Sequence, residues 1–161
     1  MLYCQRCGGP TTEQIRDGRL RPVCDDCGTP VYLDPKLAVA VVVLRDETVL
    51  LGLRAGHTRN PGTWSYPAGF VERGERVEDA AVREAREEIG LDVTLGSLLG
   101  VWSATGESVV LLAYAASIGD ADEPVAADDL LEVAWWPLSS LPPLAFEHDA
   151  EILQAAIGLG S

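Results

Sequence analysis

Glu84, Glu87 and Glu88 lie in a stretch, residues 77–91, where apolar Val82, Ala85 and Ile89 recur with a helical period. A helix turns about 100° per residue, so the three carboxylates project within roughly a third of its circumference, on a different side from the apolar set. Like charges so placed repel. The repulsion costs helix stability unless a hard divalent cation joins the oxygens, and Mg²⁺ favours carboxylates together with water and substrate phosphates. For any one of these glutamates taken alone, a solvated charged helix is the simpler explanation. Arg83 precedes Glu87 by four residues, close enough to hold that carboxylate's rotamer. Gly90 is placed to end the helix in a left-handed conformation, and Gly74 with Glu75 stands near its start.

A second constellation lies at the N-terminus. Cys4-Gln-Arg-Cys7 and Cys24-Asp-Asp-Cys27 enclose sixteen residues, the spacing of a four-thiolate zinc site. Gly8 and Gly28 follow the pairs directly and suit the tight turn of a knuckle. Two disulfides would use the same cysteines. With no further cysteine, and with Cys4 so near Met1 that no signal peptide is expected, zinc in a reducing, cytoplasmic setting is the favoured expectation. Four thiolates fill a tetrahedral shell and leave no position for water, which makes this Zn²⁺ structural.

The elements that must position these groups follow from patterning. Residues 1–35 are too few to bury a core unaided, so metal binding supplies their folding free energy, and residues 36–161 form the larger domain. Residues 37–44 read as a strand buried on both faces and residues 49–54 as its return. A loop at 56–62 and residues 64–67 then lead to the glutamate helix. Residues 91–95 alternate, residues 98–103 and 108–116 read as strands, residues 131–136 as a last one, and residues 150–157 as a closing helix. The net charge of −13 disfavours long DNA or RNA, and no run is long enough to cross a bilayer, so a small anionic substrate is the expected partner.

Gly69, Glu75, Arg83, Glu84, Glu87, Glu88 and Gly90, with apolar Ala85, Ile89 and Leu91, match every fixed position of the Nudix box. The chain therefore resembles a Nudix hydrolase. The resemblance implies an α/β fold, the Nudix α/β/α sandwich with a mixed sheet, here preceded by a small zinc ribbon. It also implies Mg²⁺-dependent hydrolysis of the pyrophosphate bond in a nucleoside diphosphate linked to another moiety. By the same resemblance Glu84, Glu87 and Glu88 are the Mg²⁺ (or Mn²⁺) ligands, joined by the main-chain carbonyl of Ala68. Arg83 orients, Glu75 braces loop and helix, and Glu87 is the candidate base. A carboxylate beside a cation keeps a low pKa, however, so the identity of the base stays open.

Tyr3, Cys4 to Thr11, Asp17-Gly18, Cys24 to Gly28, Tyr32, Pro35-Lys36 and Leu144-Ala-Phe146 are similar to zinc-ribbon Nudix hydrolases. Within that subgroup are enzymes that split FAD and ADP-ribose and release AMP. NADH pyrophosphatases also carry a ribbon, but residues 92–117 lack their Ser-Gln-Pro-Trp-Pro-Phe-Pro-type stretch. No proline stands between Gly90 and Pro124, where many ADP-ribose hydrolases carry one. FAD or ADP-ribose is the expected substrate, with NADH or NAD the alternative. A nucleotide-sensing domain whose ribbon docks a partner is the non-catalytic alternative, and a homodimer is left open.

Outside the box, Arg54 is a candidate phosphate contact and Phe146 a candidate substrate contact, in a segment at 141–149 that is either a loop able to close over a ligand or only a helix cap. Trp64 and Tyr66 are expected to pack more than to stack on a base, His57 and His148 to be surface or core residues, and Glu107 to be a turn glutamate. The acidic residues between Asp120 and Asp129 are expected to be a solvated connection without chemistry.

Overall fold

The computed structural model describes residues 2–159, in two compact units, Met1–Pro35 and Lys36–Ser161. In the first, β1 (Thr11–Arg16) and β2 (Arg19–Cys24) form an antiparallel hairpin from Thr11↔Cys24 to Arg16↔Arg19. It turns at Asp17-Gly18, both at positive φ (52° and 73°), the mirror-image turn whose twist matches paired strands. The buried apolar residues of this unit are Cys4, Val23, Cys24 and Val31. So small a set cannot outweigh the chain entropy of some thirty-five ordered residues, each costing about 1–2 kcal/mol of backbone entropy.

The second unit is built on β3 (Lys36–Arg45). It runs parallel to β8 (Val109–Ser117) from Lys36↔Val109 to Val43↔Ala116, and β7 (Thr94–Trp102) continues the sheet antiparallel to β8. The other edge of β3 is shared. Its first half pairs with β6 (Ala68–Phe70), and its last residues pair with β4 (Thr48–Arg54), which in turn pairs with β5 (Trp64–Ser65) and β9 (Leu130–Pro137). The strand therefore parts from its neighbours near its middle, and β6 stands on that edge.

Alternation along β3 sets the layers. Val39, Val41 and Val43 pack on one face with Ala80, Ala81, Ala85 and Ile89 of α1 (Val77–Ile89). Ala40 and Val42 pack on the other with Ile152, Leu153 and Ala156 of α2 (Asp149–Gly158). A strand covered on both faces must be apolar at successive positions, as this one is. The result is the α/β/α sandwich with a mixed sheet.

Local differences from the pattern have physical reasons. Residues 94–102 form one strand, because register shifts between Leu95 and Leu98 and between Leu98 and Gly100 break an alternation that otherwise continues. β5 and β6 have two and three residues, too short for a period to show. Helix α1 starts at Val77 after Arg76, two residues beyond Gly74, and ends at Gly90 in the left-handed conformation (φ 72°).

Candidate active site

Strand β6 carries Ala68 and Gly69 against α1. The Glu84 carboxylate lies over Gly69, where a Cβ would overlap it, so any larger residue would require that carboxylate to move. One turn further along the helix, Glu88 is 3% exposed and accepts a 2.8 Å hydrogen bond from the Ala68 backbone N–H. The strand thus supplies the seat for one carboxylate and the anchor for the next.

Arg83 ties the remaining acids together. Its guanidinium makes two bonds to Glu75 (Nε to Oε1 2.9 Å, Nη2 to Oε2 3.0 Å) and donates to Glu84 Oε1 at 2.7 Å and Glu87 Oε2 at 3.0 Å. It also donates to the Phe70 carbonyl at 2.9 Å. The expected Arg83–Glu87 pair is one member of this larger fork. Glu75 accepts as well from the Glu72 N–H at 3.0 Å, and the Arg83 contact holds its carboxyl down at about 2. Glu87 is the outermost of the three acids, its side chain 49% exposed against 13% for Glu84.

The electrostatics divide the cluster. Burial pushes Glu88 up to about 8; the Ala68 N–H opposes this, Glu84 and Asp129 raise it further, and Arg54 lowers it. Burial also raises Glu84, against the pull of Arg83. Carboxylates held in this way are costly as anions, and oxygen donors of this kind are the type a small divalent ion takes.

Arg54, at the end of β4, donates to the Arg59 carbonyl at 2.7 Å and to Ser65 Oγ at 3.2 Å, and its guanidinium lies 5.3 Å from the Phe146 ring centroid. The two substrate candidates are thus brought together, with Arg59 also over that ring at 6.0 Å and His148 stacked on it at 5.5 Å. The segment at 141–149 leads into α2. Main-chain bonds from Trp64 N to the Pro143 carbonyl and from Ala145 N to the Trp64 carbonyl (3.0 and 2.8 Å) fasten it to β5. Trp64 packs edge-on against Trp136 at 5.2 Å and Tyr66 is 2% exposed, so both aromatics belong to the core. Glu107 pairs with Arg59 at 3.5 Å.

Asp129 escaped the sequence reading, which assigned its acidic run no chemistry. Its carbonyl accepts from the Ala55 N–H at 2.9 Å, its carboxylate lies 2.7 Å from His57 Nε2, and its charge bears on Glu88. The available signal was its position directly before β9, which runs beside β4.

In the first unit the four sulfurs lie within 4.8 Å of one another, with Cys4–Cys27 at 3.7 Å and Cys7–Cys24 and Cys7–Cys27 at 3.5 Å. Tetrahedral zinc with bonds of about 2.3 Å places sulfurs about 3.8 Å apart, so the donor set fits that ion and all four cysteines remain free thiols.

Comparison with known proteins gives a consistent picture. Residues 34–156 match the family model described as NUDIX domain, and residues 2–32 match that described as Nudix N-terminal, a zinc ribbon. The chain is 40% identical over 126 residues to an ADP-ribose pyrophosphatase of Methanocaldococcus jannaschii, covering 74% of this chain and 72% of that one. It is 33% identical over 144 residues to the NAD-capped RNA hydrolase NudC of Pseudomonas aeruginosa, covering 88% of this chain but 50% of that protein. The chain thus spans about half the length of such NAD-capped RNA hydrolases. A crystal structure of a NUDIX hydrolase from Nitrosomonas europaea superposes with a TM-score of 0.86 at 31% identity, over 96% of this chain and 89% of that one. Among the described residues no helix is long and apolar enough to cross a membrane.

Proposed function

This chain belongs to the Nudix hydrolase family, and from that premise we propose that it hydrolyses the pyrophosphate bond of ADP-ribose or FAD, releasing AMP. The observation that carries this is the seat of two carboxylates on β6, the half-buried Glu84 over Gly69 and the buried Glu88 on the Ala68 N–H. ADP-ribose is further supported by the similarity to the archaeal ADP-ribose pyrophosphatase. A second reading, cleavage of NAD-type dinucleotides, is favoured by the similarity to the NAD-capped RNA hydrolases.

Glu84, Glu87 and Glu88, with the main-chain carbonyl of Ala68, would hold Mg²⁺ or Mn²⁺, which when bound withdraws charge from the diphosphate and favours attack by water on phosphorus. The chain's own groups do the rest. The Ala68 N–H fixes Glu88, and Gly69 leaves the room that Glu84 fills. Arg83 holds the Glu84 and Glu87 rotamers while Glu75 and the Phe70 carbonyl hold Arg83. Glu87, the most exposed of the three acids, is the candidate acceptor for the proton of the attacking water. Asp129 adds negative charge from the facing loop, and Arg54 with Phe146 receives the nucleotide, guanidinium to phosphate and ring to an apolar surface. Residues 1–35 form the structural zinc ribbon and residues 36–161 the Nudix domain. On this reading the chain acts on small nucleotides, in a reducing cytoplasm and as a monomer or homodimer.

The test is AMP release from ADP-ribose, FAD and NADH, with Mg²⁺ and with excess chelator. Fastest release from ADP-ribose or FAD, abolished by chelator, is expected. Release only from NADH moves the assignment to the dinucleotide reading, and no release from any of the three removes the catalytic one.

A further inference from the structure

Two guanidinium groups converge on one ring. Arg54, at the end of β4, lies 5.3 Å from the Phe146 ring centroid, and Arg59, in the loop that follows, lies 6.0 Å from it. Like charges gathered at one ring repel, and an anion within reach of both relieves the repulsion.

The main chain of this loop is fixed. The Arg54 N–H donates to the Thr63 carbonyl and the Gly62 N–H to the Arg54 carbonyl, both at 3.0 Å, which closes the loop at its base. Asn60 takes a left-handed φ of 53°, and its Nδ2 donates to the Ala145 carbonyl at 2.7 Å, tying the loop to the segment that bears Phe146. Thr63 Oγ1 donates to the Asn60 carbonyl at 2.6 Å, and Arg54 Nε donates to the Arg59 carbonyl at 2.7 Å. The backbone at Arg59 is thus held by Arg54 itself.

The Arg59 side chain is held far less firmly. Its guanidinium meets Glu107 at 3.5 Å, longer than an ordinary hydrogen bond, and the two side chains are 64% and 49% exposed. A pair so exposed contributes little to stability. Arg83 is the opposite case. Its five N–H donors make five bonds, two to Glu75 and one each to Glu84, Glu87 and the Phe70 carbonyl, so none is left for a substrate. Arg54 uses two donors, on the Arg59 carbonyl and on Ser65 Oγ. Ser65 stands three residues before Ala68, whose N–H holds Glu88, so Arg54 is fastened to the same stretch of chain that seats the carboxylates.

We propose that Arg59 is a second phosphate-binding residue, whose guanidinium leaves Glu107 when substrate binds and joins Arg54 on the diphosphate. The inference rests on the reading of the chain as a hydrolase of nucleoside diphosphate derivatives with Arg54 at a phosphate. Glu107 and the phosphate compete for one cation, and the phosphate offers the planar fork a bidentate partner. Because the loop backbone is already ordered, binding has one side chain to order.

Steady-state AMP release at saturating Mg²⁺, from whichever of ADP-ribose and FAD the parent cleaves faster, tests this. Arg59→Ala is expected to raise KM about ten-fold while lowering kcat by less, the loss of one charge-assisted contact, with the parent's melting temperature. Arg59→Lys, which keeps the charge but not the fork, should recover part of the loss. Glu107→Gln is expected to lower KM, by up to about five-fold, because it removes the competitor. In the Arg59→Ala background the same substitution should bring no gain. Parent KM in Arg59→Ala, a raised KM in Glu107→Gln, or an equal gain in both backgrounds would overturn the proposal. A parent that releases AMP from neither substrate removes the hydrolytic reading and this inference with it, whereas normal release with an unmoved KM in Arg59→Ala sinks only the role of Arg59.

Discussion

At the scale of single residues, the site depends on one missing atom. A Cβ at position 69 would overlap the Glu84 carboxylate, so Gly69→Ala must displace either that side chain or β6. We expect the variant to fold with a lowered melting temperature and to lose most of its Mg²⁺-dependent AMP release; retention of full activity would show that Glu84 is not needed where it stands. Glu87→Gln and Glu88→Gln are expected to lower turnover by about 10²–10⁴-fold, the range for removal of a positioned acid–base group, with zinc content unaltered. The box residues were legible because glycine, glutamate and arginine at fixed intervals have no other common reason to coincide. Arg54 and Phe146 were flagged separately and meet at 5.3 Å. Asp129 was not legible, because among neighbouring acids nothing in its residue type separates it from a solvated linker, and only the β4–β9 pairing seats it beside the end of β4.

At the scale of elements, α2 begins on a buried acid. Asp149 is 2% exposed and accepts from the Phe146 N–H at 2.9 Å, while its carbonyl accepts from Tyr66 Oη at 2.8 Å. Burial pushes its carboxyl up to about 6, against the Phe146 N–H, Arg54 and the Ala145 N–H. The folded state therefore holds this proton more tightly than the unfolded chain, whose aspartate titrates near 3.9. Its contribution to stability is full below about pH 4, falls as the pH rises, and is lost above about pH 6. Asp149→Asn keeps an acceptor for the Phe146 N–H and carries no charge. Thermal melts should show it more stable than the parent at pH 7, by about 1–3 kcal/mol, with the gap closing toward pH 4. A gap that widens toward acid would refute the account. The main strands and both helices were readable from apolar period. The bulged β7, the two-residue β5 and the exposed hairpin of β1 and β2 were not, since each lacks the uninterrupted alternation that marks a strand.

At the scale of the whole molecule, the two compact units differ in what sustains them. The larger has a double apolar core, whereas the smaller has four sulfurs and few buried apolar side chains. Cys4→Ser, or removal of zinc by a strong chelator, should unfold residues 1–35 and leave the larger unit's unfolding transition in place, seen by calorimetry as loss of one transition rather than of both. Loss of both together would mean that the ribbon is required for the larger unit to fold. The paired C-x-x-C spacing announced the first unit, and the unbroken apolar run at 37–44 announced the central strand of the sheet.

The pairing of β3 with β8 joins Lys36 to Val109, 73 positions apart. On the ribosome, the strand at the heart of the sheet is therefore made early and must wait, its valines uncovered, until its parallel neighbour has been translated. Contacts of such long sequence separation are slow to form, and an apolar strand kept waiting is open to association with other chains. Refolding from denaturant should accordingly show a late phase that buries β3 and grows less productive as protein concentration rises, whereas hairpin and thiolates, all within the first 27 residues, can close around zinc at once.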